Sequence, residues 1–194
     1  MYNLSMNSIE ISQVATLPTK YGTFKIQVFK DEMNKEHMAI FSDDLAAVPI
    51  VRVHSECLTG DVMGSVKCDC GEQLDYALEV IAKEGGMVIY HRQEGRNIGL
   101  LNKINAYALQ DKGFDTVEAN HQLGFKADER TYEIVEFMLK YFEIDRLKLL
   151  TNNPRKLESL GDIEIVERLP IQIEPNPHNE AYLNVKRDQM GHML

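Results

Sequence analysis

The feature that most constrains this chain is a single stretch, residues 52–71, which reads RVHSECLTGDVMGSVKCDCG and carries all three of its cysteines. Ten residues separate Cys57 from Cys68, and one separates Cys68 from Cys70. Thiolates bind Zn²⁺ strongly, and three protein ligands with an open fourth position is the arrangement of a catalytic zinc. The spacing points to a Cys₃ zinc site, Cys57, Cys68 and Cys70, that activates water. The competing reading is three buried structural thiols, because free cysteine is among the most buried residue types. A C-x-C pair beside a third cysteine in a polar, glycine-containing loop counts against it, as does the match in softness between thiolate and zinc. His54, three residues before Cys57, is a possible fourth ligand that would close the site.

Composition narrows what such a site can serve. A chain of 194 residues, 44% hydrophobic and 26% charged, suits one soluble domain, residues 1–194, with a sizeable core. No apolar run is long enough to span a bilayer. The N-terminal MYNLSMNSIEIS lacks a basic region followed by an apolar core, so a cytoplasmic protein is expected. In a reducing compartment, three cysteines favour metal or reactive thiols over a disulfide framework. The net charge of −9, from 21 basic and 30 acidic residues, disfavours nucleic acid and anionic membranes as partners. Local positive charge is still available for a phosphate: Arg52, Lys67, Arg92, Arg96, Arg130 and Lys156 all fall at or near expected turns.

Taken in order, residues 9–30 read as strand-rich, with 23–29 alternating polar and apolar after Pro18 and Gly22. Further strands are expected at 37–41 and 48–54, the second delivering Arg52 and His54 to the cysteine stretch. Residues 55–70 are expected mostly in loop, turning at Gly60 and Gly64. Leu74, Ala77, Leu78 and Ile81 give a helix over 72–83, ended by Gly85 and Gly86. A buried strand follows at 87–91, then a loop at 92–99. The next helix spans 100–112, with Leu101, Ile104 and Ala108 expected inward. Residues 115–130 show few helix or strand signals, and long irregular stretches are often functional. A helix over about 129–142 is expected to bury Val135, Met138, Leu139 and Phe142. A strand at 146–151, a short helix begun by Pro154, a strand at 163–169 and a short helical tail complete the chain. The whole predicts an α/β fold with a mixed sheet and flanking helices, with α+β character at the N-terminus.

Several signals are weaker than the cysteines. In YHRQEGRNIGLLNK (90–103) a strand runs through a glycine-containing loop into a helix. Free backbone N–H groups there, with Arg92 and Arg96, suit a phosphate or a carbonyl oxygen, but the segment also fits an ordinary strand–helix turn. Asp128 reads first as the N-cap of the 129–142 helix. Thr151 and Lys156 flank a strand end, a favoured ligand position in open α/β sheets, and equally suit a routine cap and a solvated lysine. Tyr107 lies on a helix, where aromatic residues are mostly core.

The motifs together resemble a known family. RVHSECLTGD (52–61), CDCGEQL (68–74), YHRQEGRNIGLLNKINAYALQD (90–111), TVEANHQLGF (116–125), ADER (127–130) and LLTNNPRK (149–156) are similar to GTP cyclohydrolase II, and NPHNEAYL and MGHML resemble its tail. The resemblance spans nearly the whole chain and matches the stand-alone form. It implies hydrolysis of GTP with loss of C8 of guanine as formate and release of pyrophosphate, giving a diaminopyrimidinone ribosylamine phosphate for riboflavin synthesis. It also implies one Zn²⁺ per subunit on Cys57, Cys68 and Cys70 plus water, Mg²⁺ with the triphosphate, and a homodimer. Matched to nucleotide-binding positions are Arg52, Val53, His54, Ser55, Glu56, Gln73, Glu94, Gly95, Arg96, Thr116, Thr151 and Lys156. Asp128 matches a general base, Arg130 a nucleophile toward the α-phosphorus, and Tyr107 a catalytic tyrosine. On physical grounds Arg130 suits a clamp for α-phosphate charge better, since a guanidinium with a pKa above ~12 is a poor nucleophile.

Two rivals stand beside this reading. His54-Ser55-Glu56 fits the H-x-E of zinc nucleobase deaminases, but Lys67-Cys68-Asp69-Cys70 departs from their P-C-x-x-C and leaves Cys57 without a role. A zinc-stabilised binding module would need a closed site and no turnover.

Overall fold

Every strand among the described residues joins one mixed sheet. The computed structural model describes residues 9–193; the first eight residues of the N-terminal MYNLSMNSIEIS read for a leader, and Leu194 of the MGHML tail, lie outside them. The strands are β1 (Glu10–Ile11), β2 (Ala15–Pro18), β3 (Thr23–Lys30), β4 (Glu36–Phe41), β5 (Ile50–Ser55), β6 (Met87–His91), β7 (Arg146–Leu150) and β8 (Glu164–Leu169). They run in the order β1-β3-β4-β6-β5-β7-β8, with β2 paired to β3. The N-terminal side is antiparallel, β3 to β4 and β4 to β6. The C-terminal side is parallel, β5 to β7 and β7 to β8. This is the mixed α/β sheet expected from the sequence, with its hairpin-rich start.

The chain divides into two compact units. One takes the described residues up to His54, then Asp75–Arg92 and Tyr132–Ile171; the other takes Ser55–Leu74, Gln93–Thr131 and the residues from Gln172 on.

The first unit is organised around the sheet. β5 is buried along Ile50–His54, as a strand covered on both faces must be. Phe29 on β3 is fully buried and meets Phe137, Tyr141 and Phe142 edge-on, with ring centroids 6.4, 5.1 and 5.9 Å away. Those rings belong to α5 (Glu133–Tyr141) and its C-cap, and α5 also buries Ile134, Val135, Met138 and Leu139. Each such side chain removed from water contributes about 1.5–3 kcal/mol. The sequence placed this helix from about 129, but it is capped at Tyr132, so Asp128 is not its N-cap. Asn153 caps the short α6 (Pro154–Glu158), its side chain accepting from Arg155 N at 3.0 Å.

The second unit holds helices and turns. Residues 55–70, expected mostly in loop, include the one-turn α1 (Leu58–Asp61). α2 (Cys70–Glu84) opens at the third cysteine; from Asp75 on it belongs to the first unit, where its buried Ala77 and Ile81 lie on the stripe foreseen. A 3-10 turn at Glu94–Asn97 leads into α3 (Gly99–Gln110). The expected inward face of α3 is wrong: Leu101 is 74% and Ile104 46% exposed, Ala108 is exposed too, and the buried residues are Lys103 and Ala106. The helix turns a cation inward because that cation finds Glu94 and Cys57 there. Residues 115–130 are not irregular throughout, since they contain α4 (Thr116–Gln122). A capping box starts it: Asp115 accepts from Val117 N and Glu118 N at 2.7 and 2.8 Å, and Glu118 accepts from Asp115 N at 2.9 Å. α7 (Glu180–Met190) closes the unit and buries Leu183 and Lys186.

Candidate functional site

The three thiols converge. The sulfurs of Cys57, Cys68 and Cys70 all lie within 4.8 Å of one another, with 3.6 Å between Cys57 and Cys68. Glycine makes this possible. A Cβ on Gly60 would stand 2.9 Å from Cys68 Sγ, and one on Gly71 would stand 2.5 Å from the carbonyl oxygen of Gly60. α1 and the start of α2 can approach only because both positions lack a side chain. Cys57 N donates to Asp61 Oδ2 at 2.9 Å, which fixes the turn that carries the first thiol.

One of the three holds the negative charge. Hydrogen bonds from Cys68 and Cys70, with the Lys103 ammonium nearby, hold Cys57 far below the ordinary thiol range, against the opposing effect of burial. Cys68, giving its hydrogen bond to Cys57, is pushed up to about 11, and Cys70 is raised by the same sharing. Three soft, clustered donors, one already ionised, fit a divalent metal of the zinc class. Loading must displace the protons of the other two.

Around the thiols lies a polar network. Lys103 Nζ donates to Cys57 Sγ at 3.1 Å and to Glu94 Oε1 at 2.9 Å. Glu94 also accepts from Leu58 N at 2.7 Å and Gly95 N at 2.8 Å. Burial opposes the charge on Lys103, but Glu94 and Cys57 together raise it above its ordinary value. The Tyr107 hydroxyl lies 3.4 Å from Thr59 Oγ1, and burial pushes its phenol up to about 12. It therefore stays protonated at neutral pH and can donate a proton.

Gly95, Arg96 and Asn97 follow one another in left-handed backbone, with φ of 60°, 58° and 75°. Non-glycine residues persist there only when neighbours hold them. Here Arg96 O accepts from Glu129 N at 3.1 Å, Arg96 Nη1 donates to Ala127 O at 3.0 Å, and Asn97 Nδ2 donates to Glu129 O at 3.1 Å. The same stretch presents a fork: Arg130 Nε and Nη2 donate to the two oxygens of Asp128 at 2.9 and 2.7 Å, and Nη1 donates to Ser55 Oγ at 3.1 Å. Asp128 is thus the orienting partner of Arg130. Thr116 opens α4.

Other expected residues belong to the sheet unit. Arg52 Nη1 donates to Leu150 O at 3.0 Å, and Lys156 Nζ donates to Val53 O at 2.6 Å. Thr151 is buried and its Oγ1 accepts from Asn153 N at 3.1 Å. His54 stacks on Tyr90 with centroids 5.6 Å apart. The group able to hold a metal, among the described residues, contains the cysteines without a histidine.

Two buried partners of the thiol loop were not foreseen. Lys103 lay inside a quoted motif but was read as part of an amphipathic helix. Asp69, between two cysteines, accepts from Lys186 Nζ of α7 at 2.8 Å and from Gln73 Nε2 at 2.5 Å. Burial works against its charge, but Lys186 holds it below the usual carboxylate range. Nothing in the local sequence links Asp69 to a lysine 117 positions away. Glu56, by contrast, was expected and is half-buried beside Cys57 in sequence.

Comparison with known proteins adds an independent line. The chain is similar to GTP cyclohydrolase-2 of Campylobacter hominis, 60% identical over 96% of both chains, and to that of Campylobacter fetus, 62% identical over 94% of this chain and 95% of that one. It is 56% identical to GTP cyclohydrolase-2 of Helicobacter hepaticus, over 95% of this chain and 98% of the other. A family model described as GTP cyclohydrolase II matches residues 10–170, which takes in the sheet, the thiol loop, the left-handed run and the Asp128–Arg130 fork. With that match and these identities, the chain belongs to the GTP cyclohydrolase II family of enzymes.

Proposed function

We propose that this enzyme hydrolyses GTP, opens the imidazole ring of guanine, and releases formate and pyrophosphate to leave a diaminopyrimidinone ribosylamine phosphate for riboflavin synthesis. The observation that carries the reading is the clustered Cys57, Cys68 and Cys70 donor set in a chain of this family. Those thiols would hold a Zn²⁺, which when bound supplies Lewis-acid activation of water near neutral pH.

The chain's own residues do the rest. Lys103 and the polar turn of Asp61 keep Cys57 in place as a thiolate. Tyr107, protonated at neutral pH, is assigned the proton given to a ring nitrogen as its bond to C8 breaks. Arg130 takes the charge of the α-phosphate: with Nε and Nη2 fixed on Asp128, its guanidinium is preorganised as a clamp, and attack on phosphorus would have to break that fork. Asp128 then acts by aiming Arg130, with general-base service to water open to it only when the fork loosens. Nucleotide contacts are assigned to Arg52, Val53, His54, Ser55, Glu56, Gln73, Glu94, Gly95, Arg96, Thr116, Thr151 and Lys156. Mg²⁺ carried by the triphosphate, a homodimer and a cytoplasmic setting complete the reading.

The test is a single incubation with GTP, Zn²⁺ and Mg²⁺, in which formate, pyrophosphate and ammonia are measured together. Formate with pyrophosphate is the expected result. Ammonia without formate would make it a deaminase, and metal-dependent folding with no turnover would make it a binding module; either overturns the proposal.

A further inference from the structure

We infer that Lys103 is a positioning residue of the cysteine centre, donating a hydrogen bond to Cys57 Sγ that fixes the thiolate and offsets the negative charge of the loaded site. The inference rests on the reading that Cys57, Cys68 and Cys70 hold the metal. It starts from an oddity of α3. The helix exposes Leu101 and Ile104 and buries a lysine, the reverse of what hydrophobicity favours. Burying an ammonium is costly unless it is paired and hydrogen-bonded. Lys103, 8% exposed, finds a carboxylate and a sulfur.

Geometry ties the lysine to the first thiol from two sides. Its ammonium reaches Cys57 Sγ directly at 3.1 Å. Its partner Glu94 accepts from the N–H of Leu58, the residue after Cys57, at 2.7 Å. Glu94 is further pinned by Gly95 N at 2.8 Å, so the ammonium is held against an immobile carboxylate. The stem is confined as well, since a Cβ on Gly95 would stand 3.1 Å from Lys103 Cβ.

Charge gives this arrangement a purpose. Three thiolates outweigh a dication by one negative charge, and Glu94 beside them adds another. Lys103 offsets one of the two, and its hydrogen bond holds Cys57 Sγ in place as a ligand. A hydrogen bond from an ammonium also lowers the energy of the sulfur lone pairs, so its loss should move the thiolate-to-metal charge-transfer band to lower energy. Partners of this kind, one step outside the ligands, typically control metal affinity by about 10–100-fold.

The experiment compares the full-length wild type with Lys103→Met and with the double variant Lys103→Met/Glu94→Gln. Co²⁺ is used as the probe, with affinity read by chelator competition and the thiolate-to-cobalt charge-transfer band read in the near ultraviolet. Lys103→Met is expected to bind Co²⁺ about 10–100-fold more weakly, with the band moved to lower energy. The double variant, which removes the carboxylate left unpaired, should fold even if the single variant does not, and should keep the shifted band. Wild-type affinity and band position in folded Lys103→Met, or their full return in the double variant, would show an ordinary structural ion pair and overturn the inference alone. Failure of the wild type to bind Co²⁺ or Zn²⁺ would overturn the metal reading, and this inference with it.

Discussion

The sheet unit and the thiol-bearing unit differ in the balance of what they bury. In the first, Phe29, Met87, Ile89, Met138, Leu139, Leu147 and Leu149 are shut away from water. In the second, Cys57, Cys68, Asp69, Glu94, Lys103 and Lys186 are buried while Val62, Met63 and Leu101 lie exposed. Apolar burial stabilises whatever the chain does. Buried charges are costly, and replacing them by apolar groups often raises stability. A unit that keeps a lysine on a thiol and another on the aspartate between two thiols holds a reactive centre at the expense of its own stability. The aromatic core around Phe29 and the charged groups around the thiols should therefore respond differently to substitution.

The largest effect belongs to the centre itself. Cys68→Ser should lose stoichiometric zinc and cut formate release by at least about 10³-fold, the scale of several kcal/mol supplied by a Lewis acid. Metal analysis and a formate assay on the same sample check both. Surviving pyrophosphate release would show that the two hydrolyses are separable, whereas unchanged formate release would remove zinc from the reaction. The counterpart in the sheet unit is Phe29→Ala, which strips a ring from three aromatic neighbours. It should cost about 4 kcal/mol of unfolding free energy in urea while zinc affinity stays at the wild-type value. A matching fall in affinity would mean that the two regions are not energetically distinct.

The same division decides what could be read in advance. The sheet was legible because alternation in TFKIQVF and β-branched runs such as VPIVRVH report burial through a period of two residues. The thiol cluster was legible because its three cysteines are local, within fourteen positions of one another. α3 misled because its apolar face at Leu101 and Ile104 looks like an inward stripe, while Lys103 buries itself through partners at Cys57 and Glu94 that no helical period contains. The Asp69–Lys186 pair was illegible for the same reason, its members lying at opposite ends of the unit's sequence. α4 is different: Asp115 and Glu118 carry a capping-box signature that was open to reading and was passed over.

Lys186→Met tests whether α7 supports the thiol loop. Both partners of the pair are nearly shut off from water, the side chains being 10% and 2% exposed. Removing the cation leaves Asp69 buried and uncompensated, at a cost of about 3 kcal/mol. Unlike Phe29→Ala, it should also weaken zinc binding, because Asp69 sits between Cys68 and Cys70. Loss of stability with untouched zinc affinity would confine α7 to a scaffolding role. Arg130→Gln should do the reverse. It removes the fork on Asp128 but no ligand, so zinc uptake should be unchanged while turnover falls about 10²-fold, roughly 2.7 kcal/mol.

The smallest effect is a difference in how the two regions meet acid. His37 in the sheet unit is fully buried; its Nδ1 accepts from Arg92 N at 3.1 Å and its Nε2 faces Asp31 Oδ2 at 3.2 Å. Burial holds the imidazole below its ordinary value of 6.5, with Asp31 working the other way and Lys35 and Arg92 with burial. Below 6.5 the unfolded chain therefore takes up a proton that the folded chain refuses. Stability from this group is complete above 6.5 and lost as pH falls through the folded value, with a slope of at most about 1.4 kcal/mol per pH unit. Asp69 in the other unit behaves as a depressed carboxylate: its contribution is complete above 3.8 and lost only below it. Acid should thus weaken the apolar region first, although it is the region with fewer buried charges. Urea midpoints measured between about pH 8 and pH 5 should decline, and the decline should flatten in His37→Gln, which keeps a hydrogen-bonding side chain but cannot titrate. An equal decline in His37→Gln would place the acid sensitivity elsewhere.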